Sequence, residues 1–257
     1  MKVVILCGGL GMRLREETEF RPKPMVEIGG RPILWHIMRH YSSYGHDDFV
    51  LCLGYKAEAI RSYFLEFRAM NTDVRIDVGT QSVEYLGTLE DERSWRVTLA
   101  ATGLEAATGD RLVRIAPYVA GETFLCSYGD GVSNVDVAKL VDYHRRKGRL
   151  VTVTGVRPLS RFGELEVEDG IAVGFSEKPP LHEGWVSGGF FVIEPAALEH
   201  IRPGEFFERR PMQQLAEDGQ LAVFEHRGYW APMDTYRDVV ALNDEWASGR
   251  PGWLVRS

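Results

Sequence analysis

The sequence has few of the features that mark secreted, membrane-spanning or nucleic-acid-binding proteins. Its three cysteines, Cys7, Cys52 and Cys126, are far apart and form no CxxC pair. Each lies in or beside an apolar run, so we expect buried free thiols and a reducing, cytoplasmic compartment. No apolar stretch approaches the about 20 residues that a membrane helix needs. The 30 Lys and Arg against 37 Asp and Glu leave a net charge of −7, which argues against nucleic acid or an anionic membrane as a partner.

The 257 residues also lack any tract that would divide them: there is no Pro/Ser linker, internal repeat or low-complexity segment. Apolar runs at 3–7, 49–53, 123–128 and 150–156 predict strands, and they alternate with helical patterns at 32–41, 57–67 and 136–146. The second half is richer in strand patterns. We therefore predict one α/β domain over 1–257, with a Rossmann-like, mostly parallel mixed sheet flanked by helices and a smaller strand-rich lobe.

A glycine-rich segment follows the first predicted strand directly. Gly8, Gly9 and Gly11 would let the backbone approach a phosphate chain and turn its N–H groups toward the oxygens. Ligands of such sheets bind at the carboxyl ends of strands, where this loop must lie. The spacing is neither GxGxxG nor a P-loop, which disfavours a dinucleotide-dependent oxidoreductase. Arg13, two residues after the last glycine, favours a polyphosphate ligand.

A lysine framed by two prolines comes ten residues after Arg13. Pro22 and Pro24 stiffen the backbone and keep Lys23 out of a regular helix, so that its amine projects from a fixed loop. An unframed lysine is usually a solvated surface charge. In this frame we interpret Lys23 as a phosphate contact.

These two motifs, with the continuation over 26–38, resemble the signature of the sugar-1-phosphate nucleotidyltransferases, or NDP-sugar pyrophosphorylases. Further matches follow in the family's order at 128–131, 161–163, 177–179, 188–191 and 232–235, and together they cover nearly the whole chain. The segment 26–38 is similar to the glucose-1-phosphate cytidylyltransferase branch. The resemblance implies transfer of a nucleotidyl group from an NTP, with CTP favoured, to a sugar 1-phosphate, with glucose 1-phosphate favoured. It also implies Mg²⁺ as cofactor and a homo-oligomer.

The resemblance assigns roles to individual residues. For catalysis it implies Arg13, Lys23, Asp130 and Asp234, the last two also as the Mg²⁺ ligands. For the nucleotide, in the half 1–130, it implies Leu6, Cys7, Gly8, Gly9, Leu10, Gly11, Met12, Arg13, Lys23, Thr102, Gly103 and Arg111, with Arg111 donating to the base. For the sugar phosphate, mainly in the half 131–257, it implies Tyr128, Gly129, Gly163, Glu177, Lys178, Ser187, Gly188 and Gly189.

Structural alternatives stand beside several of these roles. Asp234 is also placed to cap a helix that starts near Thr235, and Asp130 could be a simple turn residue. Glu177 and Lys178 could form a plain surface ion pair.

Two departures from the family pattern also matter. Met12 stands where a hydroxyl residue is more usual, and Ser187 stands where an Asn is usual, which leaves the sugar open. UTP, an unusual sugar phosphate, and a non-catalytic NDP-sugar-binding protein remain the alternative functions.

Overall fold

The computed structural model describes residues 1–89, 92, 94–119, 121–157, 164–168, 171–176 and 184–254. The strands are β1 (Lys2–Leu6), β2 (Glu27–Ile28), β3 (Arg31–Pro32), β4 (Asp48–Leu53), β5 (Val74–Asp77), β6 (Ser82–Tyr85), β7 (Arg96–Ala101), β8 (Phe124–Tyr128), β9 (Gly131–Ser133), β10 (Val151–Val156), β11 (Glu164–Glu168), β12 (Ile171–Ser176), β13 (Val186–Ile193), β14 (Leu221–His226) and β15 (Trp230–Pro232). The α-helices are α1 (Arg15–Thr18), α2 (Ile33–Ser42), α3 (Ala57–Leu65), α4 (Phe67–Asn71), α5 (Thr108–Arg114), α6 (Ala116–Val119), α7 (Val137–Lys147), α8 (Arg210–Glu217) and α9 (Tyr236–Ala247). Short 3₁₀ helices span Met12–Leu14, Lys23–Met25 and Pro195–His200.

The centre of the molecule is a seven-stranded sheet in the order β14-β10-β13-β8-β1-β4-β7. All neighbouring pairs are parallel except those of β13, which runs antiparallel to both β10 and β8. The near-continuous apolar runs of β1 and β4 are typical of parallel strands that are covered on both faces. This arrangement confirms the predicted mostly parallel mixed sheet. The pairs β11–β12 and β15–β9 add small antiparallel sheets.

Successive side chains of β1 enter two different cores, because strand residues alternate between faces. Ile5 packs in the core that α2 and α7 cover, and Val4 packs in the core on the side of α5 and α8. All three cysteines are free and buried, which confirms that expectation. None of the helices in the described residues is long and apolar enough to cross a membrane.

Two histidines of α2 belong to the packed interior. The Nε2 atoms of His36 and His40 each lie 2.9 Å from a backbone carbonyl oxygen, that of Ile28 and that of Val135. Burial lowers the pKa of both imidazoles to about 4. Both side chains are therefore neutral in the folded protein at pH 7.

The structure differs from the sequence-based prediction in the region after α2. The single helix predicted over 57–67 is broken at Glu66 into α3 and α4. The break turns Phe67 inward, where its ring lies 5.3 Å from that of Tyr63 and 6.3 Å from that of Trp95, centroid to centroid. The hairpin β5–β6, strand β7 and helices α5 and α6 had no predicted counterpart.

The strand order brings the loops of the site to one edge of the sheet. Leu6 at the end of β1 pairs with Tyr128 at the end of β8, so the loops that follow these strands begin side by side. Because β13 is antiparallel to β8, its first residues lie at the same edge: Phe190 pairs with Ser127. The segment after β7 also leaves from this edge, since β7 is parallel to β4 and β4 to β1.

Candidate active site

A cavity of about 450 Å³ opens at this edge of the sheet. It is lined by Leu6, Cys7, Gly8, Gly9, Leu10, Gly11, Met12, Lys23, Pro24, Leu104, Glu105, Ala106, Thr108, Arg111, Tyr128, Gly129, Asp130 and Phe206. The whole glycine-rich segment up to Met12 therefore borders the cavity together with Lys23 and Asp130. That combination offers backbone N–H groups, one cation and one carboxylate to an anionic ligand.

Lys23 forms an ion pair with two carboxylates. It begins the 3₁₀ helix Lys23–Met25 and is only 8% exposed. Its Nζ atom donates to Oδ2 of Asp130 at 2.6 Å and to Oδ1 of Asp234 at 2.7 Å. Burial alone would lower the pKa of Lys23, but the two carboxylates outweigh burial and raise the pKa. The side chain is therefore a fixed cation at the cavity wall.

Asp234 is held beside Lys23 by the start of α9. The cap of this helix is Thr235, whose hydroxyl accepts from the N–H of Asp238, while the Asp238 carboxylate accepts from the N–H of Thr235 in return. The alternative that Asp234 caps the helix is therefore wrong. Its side chain reaches the Lys23 amine instead, at the end of the β15 segment.

The pair Asp130 and Asp234 fits a divalent metal ion. Both carboxylates already reach one positive charge, the Lys23 ammonium group, so their oxygens lie within two hydrogen-bond lengths of each other. Mg²⁺ in phosphoryl-transfer sites is held by one or two carboxylates, with phosphate oxygens and water completing the shell. The described residues contain no cluster of three or more metal-ligating side chains. Substrate oxygens would therefore have to supply the remaining ligands.

Arg111 is buried beneath the cavity rather than extended into it. It is 3% exposed, and its terminal nitrogens donate to Thr102 Oγ1 at 2.8 Å and to the carbonyls of Gly103 at 2.8 Å and Gly8 at 3.1 Å. Further bonds reach the carbonyls of Leu53 and Leu104. A Cβ atom at position 8 would collide with the guanidinium group, so this close approach requires Gly8.

The resemblance implies that Arg111 donates a hydrogen bond to the base, and the contacts of Arg111 bear on that role. Arg111 borders the cavity, but its NH1 and NH2 groups are engaged with protein oxygens, so the direct bond to the base remains a prediction. Thr102 is buried and bonded to Leu53 and Arg111, and neither Thr102 nor Gly103 lines the cavity. Thr102 and Gly103 instead accept hydrogen bonds from Arg111, which itself borders the cavity.

On the predicted sugar side, Tyr128 and Gly129 line the cavity. Gly189 packs against the Tyr128 ring with a φ of 77°, and a Cβ atom there would overlap the ring. The carbonyl of Gly188 accepts from Nε1 of Trp230 at 2.8 Å, and Ser187 is exposed beside it on β13. The predicted contacts Gly163, Glu177 and Lys178 lie outside the described residues, as does the side chain of Arg13, whose backbone belongs to Met12–Leu14.

Sequence reasoning missed part of the cavity wall. Leu104, Glu105 and Ala106 follow β7, and Phe206 precedes α8. The first three residues follow β7, whose mixed pattern did not predict a strand, so no local signal placed them at this edge of the sheet. Phe206 belongs to no motif, and only the tertiary structure reveals it.

Comparison with known proteins identifies the family of the chain. The family model for nucleotidyl transferases matches residues 2–246, and the chain belongs to this family. Membership implies a nucleoside triphosphate and a sugar phosphate as substrates, and enzymes of this family generally use a divalent metal ion.

Two curated relatives and one solved structure are similar to the chain over nearly its full length. The chain is 44% identical to a probable glucose-1-phosphate cytidylyltransferase of Bacillus subtilis, over 99% of this chain and all of that protein. It is also 44% identical to the glucose-1-phosphate cytidylyltransferase of Salmonella typhi, over 98% of each. Among solved structures, HddC from Yersinia pseudotuberculosis shares the fold, with a TM-score of 0.68 at 21% identity over 95% of this chain and 99% of the other.

Proposed function

We propose that the protein converts CTP and glucose 1-phosphate into CDP-glucose and pyrophosphate, with Mg²⁺ as the metal ion. The near full-length similarity to glucose-1-phosphate cytidylyltransferases supports the reaction and its substrates. The observation that carries the proposal is the Lys23 amine, held between Asp130 and Asp234 at the wall of a glycine-lined cavity. This arrangement suits a polyanionic substrate and a metal ion.

The reaction needs no protein nucleophile, because an oxygen of the sugar phosphate attacks the α-phosphorus of CTP directly. Cys7 is the one cysteine that lines the cavity, and burial raises the pKa of its thiol well above the ordinary value. It therefore stays protonated and is unsuited to attack. Catalysis rests on alignment of the two phosphates and on neutralisation of their charge.

Each site residue has a part in that alignment. The N–H groups of the glycine-rich loop and Arg13 hold the leaving pyrophosphate, and Lys23 stabilises the charge that develops on the α-phosphate. Asp130 and Asp234 would hold the metal ion, which would supply positive charge to the phosphate oxygens. Glu177 and Lys178 bind the sugar phosphate, and the half 131–257 supplies this part of the site.

The decisive test is pyrophosphate release from each of four nucleoside triphosphates with a panel of sugar 1-phosphates. CTP with glucose 1-phosphate should be the best pair, and EDTA should abolish turnover until Mg²⁺ is restored. A preference for UTP or for another sugar would keep the reaction and change the substrate. Absence of pyrophosphate from every pair would favour a binding protein over an enzyme.

We further propose that residues 1–257 act as one domain, that the protein is cytoplasmic and that it forms a homo-oligomer. The central sheet takes strands from both halves of the chain, and buried free thiols are typical of reducing compartments.

Ile76, Val78 and Val83 are exposed on the β5–β6 hairpin, and an isolated two-stranded hairpin is marginally stable by itself. We therefore take the hairpin as part of the interface between copies. Light scattering should give a mass above that of one chain, and Val78→Lys should lower the measured mass.

A further inference from the structure

The segment before α8 is docked onto the start of α5 and forms one side of the cavity. The N–H of Phe207 donates to Thr108 Oγ1 at 2.9 Å, and the carbonyl of Glu205 accepts from the N–H of Gly109 at 3.1 Å. Phe206, between these two contacts, lines the cavity. The segment is therefore a fixed part of the nucleotide cavity, although no sequence motif marks it.

Glu208, at the end of this segment, bonds two cavity residues at once. Its Oε1 accepts from the Tyr128 hydroxyl at 2.7 Å, and its Oε2 accepts from the Thr108 hydroxyl at 2.6 Å. Tyr128 and Thr108 line the cavity, whereas Glu208 does not. Any effect of Glu208 on a bound nucleotide would therefore pass through the two hydroxyl groups.

The carboxylate determines the direction of both hydroxyl groups. An ionised carboxylate only accepts hydrogen bonds. Each of the two hydroxyl groups therefore donates its one hydrogen to Glu208. Burial, together with the neighbouring Glu208, raises the pKa of Tyr128, so the phenol keeps that hydrogen. Toward the cavity, the oxygens of Tyr128 and Thr108 can then only accept, and Thr108 Oγ1, which already accepts from the N–H of Phe207, keeps one lone pair for this.

We propose that Glu208 is a positioning residue for the nucleoside: it turns the hydroxyl groups of Tyr128 and Thr108 into an acceptor-only wall that binds an N–H or O–H donor. This inference rests on the proposed function, because it takes CTP as the nucleotide. CTP carries two kinds of neutral donor, the exocyclic amine of cytosine and the ribose hydroxyls. UTP lacks the amine, and 2′-deoxy-CTP lacks one hydroxyl. A site that pairs with such a donor discriminates against analogues that leave its acceptors unpaired.

The test compares CTP, UTP and 2′-deoxy-CTP in the wild type and in Glu208→Gln. Glutamine keeps the shape of the side chain but brings an NH₂ donor to one of the two hydroxyls, which must then turn its hydrogen away. We expect KM for CTP to rise on the order of tenfold, the worth of one hydrogen bond, with kcat within about twofold. The preference for CTP over one of the two analogues should fall by a similar factor. The inference moves Tyr128 from the predicted sugar-phosphate contacts to the nucleoside, so KM for glucose 1-phosphate should not change. A rise in that KM with unchanged nucleotide preferences would return Tyr128 to the sugar phosphate and overturn the inference.

The analogue whose disadvantage shrinks identifies the donor: UTP points to the amine, and 2′-deoxy-CTP points to the ribose. Unchanged preferences in an active variant, with or without a lower Tm, would leave Glu208 a purely structural role and overturn the inference. Glu217→Gln, which removes an exposed carboxylate of α8, is the matched control and should match the wild type.

A second variant keeps the test decisive if Glu208→Gln does not fold. Tyr128→Phe retains the ring that packs on Gly189 and removes only the hydroxyl, so it should reproduce the loss of preference if Tyr128 supplies the acceptor, and Thr108→Val should do so otherwise. If neither variant alters a preference, the inference fails. Wild-type protein that did not use CTP would overturn the proposed function as well, which separates the two failures.

Discussion

Replacement of Lys23 by Met would test the centre of the site most directly. Methionine keeps much of the length and apolar stem of the side chain but removes the charge that Asp130 and Asp234 share. One charge aimed at the transition state typically contributes about 3 to 4 kcal/mol. We therefore expect Lys23→Met to lower kcat by two or more orders of magnitude in the pyrophosphate assay.

The same substitution should also affect stability in a way that depends on the metal. Removal of one partner from a buried ion pair costs about 3 to 5 kcal/mol. Because the Asp130 side chain is 36% exposed, water screens part of that cost, and we expect about 2 kcal/mol here. Mg²⁺ can supply the missing positive charge, so it should raise the Tm of Lys23→Met more than it raises the Tm of the wild type.

Lys139 provides the matched control. It pairs with Asp136 at 2.8 Å, but its side chain is 76% exposed and lies on α7, outside the cavity. Water screens an exposed pair of this kind, so it contributes little to stability, and Lys139→Met should keep wild-type kcat and show no special response to Mg²⁺. Near wild-type turnover in Lys23→Met would refute the role of Lys23 in catalysis. Equal Mg²⁺ responses in the wild type and Lys23→Met would refute the shared metal site.

Three further predictions follow from the site and the core. Asp130→Asn and Asp234→Asn should each raise the Mg²⁺ concentration for half-maximal activity at least tenfold in a metal titration; an unchanged midpoint in either would remove that residue from the metal site. The lowered pKa of His36 and of His40 means that the unfolded chain binds more protons between pH 6.5 and about 4, so stability is complete above pH 6.5 and falls as pH drops to 4, by up to roughly 3 kcal/mol per histidine. A Tm that stays flat over that range would contradict this, and the His36→Gln, His40→Gln double variant should show a weaker pH dependence. Arg111→Ala should raise KM for CTP more than it lowers kcat, and Arg111→Lys should not restore it, because an ammonium group cannot span the same set of carbonyls; full rescue by Lys would argue for a simple charge effect.

Local sequence features account for much of the site. Lys23 could be predicted because two prolines fix its backbone, and Asp130 was implied by the family resemblance of the motif that follows a strongly apolar strand. The glycine-rich loop could be placed at the sheet edge because it directly follows the first predicted strand, and the structure finds it lining the cavity. In each case the relevant signal lies within a few residues of the functional group.

The features that escaped prediction depend on contacts between distant parts of the chain. The burial of Arg111 follows from the approach of Gly8 and Leu53, which no local pattern encodes. Glu208 looks like an ordinary charged residue until the fold brings it to Tyr128, 80 positions earlier. Strand β7 was missed because its pattern is mixed, and only its Ala100 is fully buried.

The Lys23 ion pairs have a consequence for the protein while it is still being synthesised. The contact with Asp130 spans 107 positions of the chain, and the contact with Asp234 spans 211. A ribosome that makes the chain from its amino end therefore delivers the glycine-rich loop and the first carboxylate long before the second. The nascent polypeptide cannot close the pair of carboxylates until α9 begins to emerge. Nucleotide chemistry would thus be withheld from incomplete chains, and a product arrested before Asp234 could fold many of its strands and still lack a working site.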